Sequence, residues 1–222
     1  MGKLRDRKNR HDDFYRRAKR ESYAARSVYK LEEIDRRFKL MKAGQRVLDL
    51  GCRPGSWMQY AAARVGPRGM VVGLDREPVD IALPPHVTTL VGDVLEIDVA
   101  ELRQGCSCFQ LVMSDMAPDT TGVAFTDQVR SAELTGRALD IALAVGCPNG
   151  AFVAKLLMGE GFEPLLARLR ETYASAKTVR PQATRKSSTE VYLVGTGKKA
   201  GAGKAEPEAE PAPASSEPEQ NA

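Results

Sequence analysis

The stretch Val47-Leu48-Asp49-Leu50-Gly51-Cys52-Arg53-Pro54-Gly55-Ser56-Trp57 restricts the fold more than any other part of the chain. An apolar run ending in an acid, then glycines around a proline, then helix-forming residues from Met58 to Arg64, reads as a buried strand, a tight turn and a helix start. In open α/β sheets ligands sit beyond the carboxyl ends of parallel strands. Glycine there lets the backbone approach the ligand, and the helix offers unpaired N–H groups. The same alternation continues along the chain. Strands are expected at 46–50, 70–74, 87–91, 109–113 and 151–157, and helices at 24–38, from Trp57 on, at 126–145 and at 163–173. Two short strands, 176–179 and 190–195, follow and read as a final antiparallel pair.

Composition narrows the class. A chain of 222 residues with 42% hydrophobic content supports one domain with a core. No apolar run reaches 18 residues and the basic N-terminus is not followed by an apolar stretch, so neither a membrane span nor a secretory leader is expected, and the location expected is cytoplasmic. Four cysteines without a C-x-x-C pair, and only His11 and His86 beside them, argue against a metal site. They are expected to be reduced thiols used in packing. The formal charge of +4 is uneven: residues 1–30 hold eleven Lys and Arg against four Asp and Glu, whereas from Ala205 on there are five Glu and no cation. A basic arm suits a polyanionic partner or is simply a solvated terminus, and charge alone does not choose. The domain plan is therefore a basic, flexible arm over 1–24, one α/β domain over 25–197, and an Ala/Pro/Glu-rich disordered tail over 198–222.

Elimination narrows the ligand. A phosphate loop needs Gly-Lys-Ser/Thr, and Gly55 is followed by Ser56-Trp57. A dinucleotide turn needs G-x-G-x-x-G, which Gly51 and Gly55 do not make. Acids close the successive strands instead: Asp49, Asp75, Asp93 and Asp115. Asp75 lies about 20 residues beyond the turn, the spacing that puts a carboxylate on ribose hydroxyls, although it also reads as a turn residue before Pro78. A crevice rimmed by carboxylates suits a ligand with positive charge and hydroxyls. S-adenosylmethionine, a sulfonium with a ribose, has both.

Charge inside the core points to a reaction. Lys155 interrupts Phe152-Val153-Ala154 and Leu156-Leu157, and burial beside a second cation favours a neutral amine able to accept a proton. Glu190 starts Val191-Tyr192-Leu193-Val194 and Asp115 ends strand four, so both can orient lysines at one sheet edge; the plainer alternative is that Lys155 snorkels at a strand end and Glu190 is a surface residue.

From Ala25 to Gly197 the sequence resembles the FtsJ-like (RlmE-type) ribosomal RNA large-subunit 2'-O-methyltransferases. The resemblance is carried by Arg26-Ser27-Val28-Tyr29-Lys30-Leu31, Asp49-Leu50-Gly51 through Pro54-Gly55 and Trp57, Gly92-Asp93, Ser114-Asp115-Met116-Ala117-Pro118, Lys155 with Gly159-Glu160-Gly161-Phe162, and Ser188-Thr189-Glu190-Val191-Tyr192. It implies a Rossmann-like class I methyltransferase fold: a mostly parallel seven-stranded sheet, helices on both faces and an antiparallel last strand. It also implies a catalytic tetrad of Lys30, Asp115, Lys155 and Glu190, S-adenosylmethionine contacts at Gly55, Trp57, Asp75, Asp93 and Asp115, and no metal. The implied reaction is methylation of a uridine 2'-hydroxyl in large-subunit rRNA by a monomer, with Lys155 as general base. A 2'-O-methyltransferase of tRNA or another RNA, and a non-catalytic RNA-binding protein of ribosome assembly, are the alternatives. Cys52, Arg53 and Ser56 depart from the small residues and second glycine common in the family's turn, and a weaker hold on the cofactor is the expectation there.

Overall fold

The computed structural model describes residues 13–185 and 187–203. Its seven strands are β1 (Arg46–Leu50), β2 (Met70–Asp75), β3 (Val87–Val91), β4 (Phe109–Ser114), β5 (Gly146–Leu157), β6 (Tyr173–Val179) and β7 (Glu190–Lys198). They form one sheet in the order β3-β2-β1-β4-β5-β7-β6. The pairings among β1 to β5 are parallel, and β7 runs antiparallel to both β5 and β6. The helices are α1 (residues 13–20), α2 (Val28–Phe38), α3 (Ser56–Val65), α4 (Ala124–Val145) and α5 (Phe162–Thr172).

The central strands are apolar throughout because helices cover both faces. Leu48, Leu50 and Val112 pack with Leu139 and Ala142 of α4 and Leu165 and Leu169 of α5. Their strand neighbours Val47, Leu111 and Met113 point the other way, onto Leu31 and Ile34 of α2 and Met58 and Ala62 of α3. Asp35 joins these two helices from inside: its buried carboxylate accepts Met41 N–H (2.8 Å), the Tyr60 hydroxyl (2.8 Å) and Arg64 Nε (3.2 Å).

Three boundaries change, the first with a consequence for the cysteines. β5 begins at Gly146, straight after α4, rather than at Ala151. Phe109 pairs with Gly146 and Leu111 with Ala151, so the intervening residues bulge around Pro148 and Asn149, whose φ is 60°. That register puts Cys147 beside Cys108, and the two form a disulfide with Cα atoms 5.0 Å apart, while Cys52 and Cys106 are free thiols. The expectation of four reduced thiols fails because this pair, 39 residues apart, has no local signature. Second, the segment taken as a flexible arm is helical from residue 13. Ala18 is buried, Phe14 lies 5.5 Å from the Tyr29 ring and Arg17 sits 4.2 Å over it. Residues 1–12 lie outside the described part. Third, Lys198 belongs to β7 rather than to a tail: it is buried, and its ammonium donates to the carbonyls of Leu143 and of Gly146 (2.9 Å) where α4 ends. Residues 204–222 lie outside the described part. No helix among the described residues is long and apolar enough to cross a membrane.

The disulfide predicts that alkylation of the denatured, unreduced protein labels two cysteines per chain, and four after reduction; mass spectrometry reads the count.

Candidate active site

The turn after β1 is built by sterics. Gly51 has φ 76°, and a Cβ there would come within 2.3 Å of the Met116 side chain, so glycine lets the segment after β4 close over the turn. Gly55, with φ 109°, caps α3 where a Cβ would meet Ile81 at 2.4 Å. The turn delivers Arg53 N–H to one oxygen of Asp75 (2.9 Å), and Glu77 N–H takes the other (3.1 Å). Asp93 accepts Leu95 N–H (2.9 Å).

Between these strand ends lies a cavity of about 890 Å³. Its charged lining is six acids against Arg53, Arg76 and Arg130. Arg53 pairs with Glu77 (2.7 Å) and Arg76 with Asp119 (3.2 Å). Asp75, Asp93 and Glu133, against Arg130, keep the acid surplus, which suits a cationic ligand and repels pyrophosphate. Beneath it, Asp49 is fully buried and neither carboxylate oxygen has a hydrogen-bond partner in the protein. Burial first, then the charges of Asp115 and Asp75, push its pKa well above the usual carboxylate range. An unpartnered acid under an acid-rich cavity fits S-adenosylmethionine, which carries an ammonium, a sulfonium and ribose hydroxyls. The candidate cofactor residues Asp75, Asp93 and Asp115 line this cavity.

Gly55 and Trp57 stand apart from the lining. Trp57 is buried, donates to Ser27 O (3.1 Å) and packs against Tyr192 with ring centroids 6.0 Å apart. Each departure from the family pattern has a local partner, Arg53 within the cavity lining and Ser56 and Cys52 outside it. Arg53 turns to Glu77, Ser56 is buried against Ser27 (Oγ to Oγ, 3.2 Å), and the Cys52 thiol packs under Gly73, its pKa raised by burial.

Asp115 connects the cavity to a buried chain of charges. Lys155 reaches its carboxylate (3.1 Å) and its main-chain oxygen. The Tyr192 hydroxyl donates to the same carboxylate oxygen (2.7 Å) and lies against Glu190. Lys30 pairs with Glu190 at 2.6 Å, and Thr184 donates to that oxygen (3.2 Å). The four charged side chains are only 9–17% exposed. Strand alternation explains the convergence. Val153 and Val194 belong to the cluster beneath α2 and α3, so Lys155, Tyr192 and Glu190, two or four residues away on the same strands, face that side too, where α2 carries Lys30. The structure therefore brings Lys30, Asp115, Lys155 and Glu190 together, each lysine on a carboxylate. Tyr192, which links the two pairs, is quoted in the sequence only as the end of the Ser188–Tyr192 motif and is given no role there. Its one signal is its place two residues after Glu190. Among the described residues no His, Cys, Asp or Glu group is arranged to hold a metal ion.

The family profile of FtsJ-like methyltransferases matches residues 23–198. The chain belongs to this family. The Ribosomal RNA large subunit methyltransferase E of Sorangium cellulosum is 46% identical over 191 residues, spanning 86% of this chain and 90% of that protein. The protein of the same name from Bdellovibrio bacteriovorus is 44% identical over 194 residues, 86% of this chain and 98% of the relative. A solved ribosomal RNA methyltransferase structure from Plasmodium falciparum superposes with TM-score 0.69 at 25% identity, covering 79% of this chain and 98% of that one. For an FtsJ-like methyltransferase, the bridging hydroxyl becomes a test of the site. Tyr192→Phe should lower methyl transfer about tenfold, the worth of one hydrogen bond to a charged group, with an unchanged circular dichroism spectrum.

Asp49 sets a pH dependence. Its folded pKa lies above the ordinary 3.8, so its contribution to stability is complete below pH 3.8 and is lost as pH rises towards the folded value. Ligand-free Asp49→Asn should melt above the native protein at pH 7 and together with it near pH 3.8; thermal melts across pH check this.

Proposed function

We propose that this FtsJ-like methyltransferase transfers a methyl group from S-adenosylmethionine to a ribose 2'-hydroxyl in large-subunit ribosomal RNA, at a uridine as the resemblance implies. The observation that carries the reading is the sharing of Asp115 between the acid-rich cavity and the buried Lys155. One wall of the carboxylate is suited to a cationic nucleoside, the other to a proton acceptor. The relatives' names support rRNA as the acceptor. When bound, S-adenosylmethionine supplies a methyl carbon activated by its sulfonium.

In this reading Asp75 and Asp93 take hydroxyl and amine donors of the nucleoside, using lone pairs left beyond their backbone hydrogen bonds. Lys155 would take up the proton released by the ribose 2'-hydroxyl on methylation, the methyl–sulfur bond breaking to leave a neutral thioether. Asp115, itself fixed by the Tyr192 hydroxyl, holds the Lys155 nitrogen in place, so little reorganisation is left for the transition state. Lys30, oriented by Glu190, donates to the acceptor ribose. The non-catalytic alternative depends on Arg53 and Ser56 blocking the pocket; Ser56 is buried on Ser27 outside the lining, and the charge of Arg53 within it is paired with Glu77. The basic segment over 1–30 is suited to RNA phosphates.

The test is incubation with labelled S-adenosylmethionine and large ribosomal subunits, followed by mapping of the labelled nucleotide. Label on a base or on a different RNA would sink the reading. Lys155→Ala should lose methylation by at least about a hundredfold, the lower range for a general base, while calorimetry shows cofactor binding unchanged and a melt shows it folded.

A further inference from the structure

Cys108 precedes and Cys147 follows the paired residues Phe109 and Gly146, at the end of β4 opposite Asp115. The disulfide therefore lies between segments that strand pairing also holds. Its two sulfurs differ in access. Cys147 is 7% exposed, whereas Cys108 is half-buried next to the exposed Ser107. A thiol attacks one sulfur of a disulfide and expels the other, and access decides which is which.

The surroundings are cationic. Arg46 is fixed by its N–H on Gln110 Oε1 (2.8 Å) and its Nε on the Cys108 carbonyl (2.7 Å), which leaves Nη2 3.9 Å from Cys147 Sγ and 4.0 Å from Cys108 Sγ. Arg103 donates to the carbonyls of Ser107 and Ala144, the latter at 3.1 Å, and Lys198 donates to those of Leu143 and Gly146. Carbonyl oxygens satisfy these donors without cancelling their charge. The charges overlap in reach: burial and then Arg103 lower the pKa of Lys198, while burial raises that of the Cys106 thiol against the pull of Arg46 and Arg103.

We propose that Cys108 is a modification site for a low-molecular-weight thiol that carries a carboxylate. The thiol gives its proton to solvent, and the thiolate attacks Cys108 Sγ. A new S–S bond forms there, the bond to Cys147 breaks, and its electron pair stays on Cys147 Sγ as a thiolate facing Arg46. A second molecule of the thiol then displaces the first, so that two thiols leave as one small disulfide and both protein sulfurs are reduced. A guanidinium beside a sulfur favours its thiolate, and a leaving thiolate so favoured departs faster. Arg46 thereby offsets the burial of Cys147. The three cations draw a thiol with a carboxylate and repel one with an ammonium. Cys52 and Cys106 are thiols already, so neither is the point of attack. Nothing in this chemistry depends on the rRNA reading.

The experiment incubates the native full chain at low ionic strength with mercaptoacetate or with cysteamine, quenches with acid at increasing times, alkylates the free thiols and maps the peptides by mass spectrometry. The early product should carry mercaptoacetate on Cys108 and the alkyl group on Cys147. Per thiolate present, mercaptoacetate should react about tenfold faster than cysteamine, the lower range for electrostatic steering. An adduct on Cys147 instead, equal rates for the two thiols, or a disulfide that yields only once the chain is unfolded in urea would each overturn the site. Arg46→Gln should slow the reaction about tenfold through the poorer leaving thiolate, and Arg46→Lys should keep most of the native rate, both with a native circular dichroism spectrum. A folded Arg46→Gln protein that reacts at the native rate removes Arg46 from the site and overturns the proposal. Should that variant not fold, the position of the adduct and the preference between the two thiols in the native protein decide alone.

Discussion

Lys155 stands opposite Tyr192 in the antiparallel pairing of β5 with β7, and Leu157 stands opposite Glu190. On that register the charged network depends. It puts the Tyr192 hydroxyl on Asp115 at the end of β4 and leaves Glu190 on the same face, turned towards Lys30. A slip of β7 by one residue would send Tyr192 and Glu190 to the opposite layer, among the leucines of α4 and α5, and leave Lys155 without them. Removing one member of a buried ion pair costs about 3–5 kcal/mol, because its partner is left charged and dry. The lysines and carboxylates therefore hold one another in an arrangement that no single pair would maintain.

Around this register the two sides of the molecule have different tasks. The face under α2 and α3 is organised by polar anchors: Asp35 between the helices, Trp57 on the Ser27 carbonyl, Ser56 on Ser27. These anchors locate Lys30. The face under α4 and α5 is organised by apolar packing, and its hydrogen bonds are spent at the rim, where Ser131, Thr135 and Asp127 join α4 to β5 and to the loop before it. Asp115 belongs to both the cavity lining and the ion pair with Lys155.

The acid surplus of the cavity has a structural counterpart in Asp49. A carboxylate with no partner in the protein is a standing cost, relieved by protonation or by a cation nearby. The fold keeps that cost at the carboxyl end of β1, beside the turn where Gly51 admits Met116. Such a site is poorly stabilised alone and well matched to a positively charged ligand, the usual relation between a pre-formed binding site and local instability.

Local pattern was enough for the seven strands, the glycine turn and the acids at the strand ends, because each is written in a few consecutive residues with the periodicity of its element. Lys155 was legible for the same reason, as a charge where the strand called for an apolar residue. What local pattern could not contain was decided by tertiary contact. The disulfide between Cys108 and Cys147 follows from a bulge in the β4–β5 register. Residues 13–20 fold because Tyr29 offers a ring to Phe14 and Arg17. Lys198 is part of the fold because α4 ends in carbonyls that need a donor. Tyr192 looked like one more apolar position in an alternating strand until the pairing of β5 with β7 set its hydroxyl between two carboxylates. By itself the sequence determined which residues could carry the chemistry; the tertiary structure decided which of them meet, because side-chain contact across a sheet is set by register, and register is a property of pairs of strands.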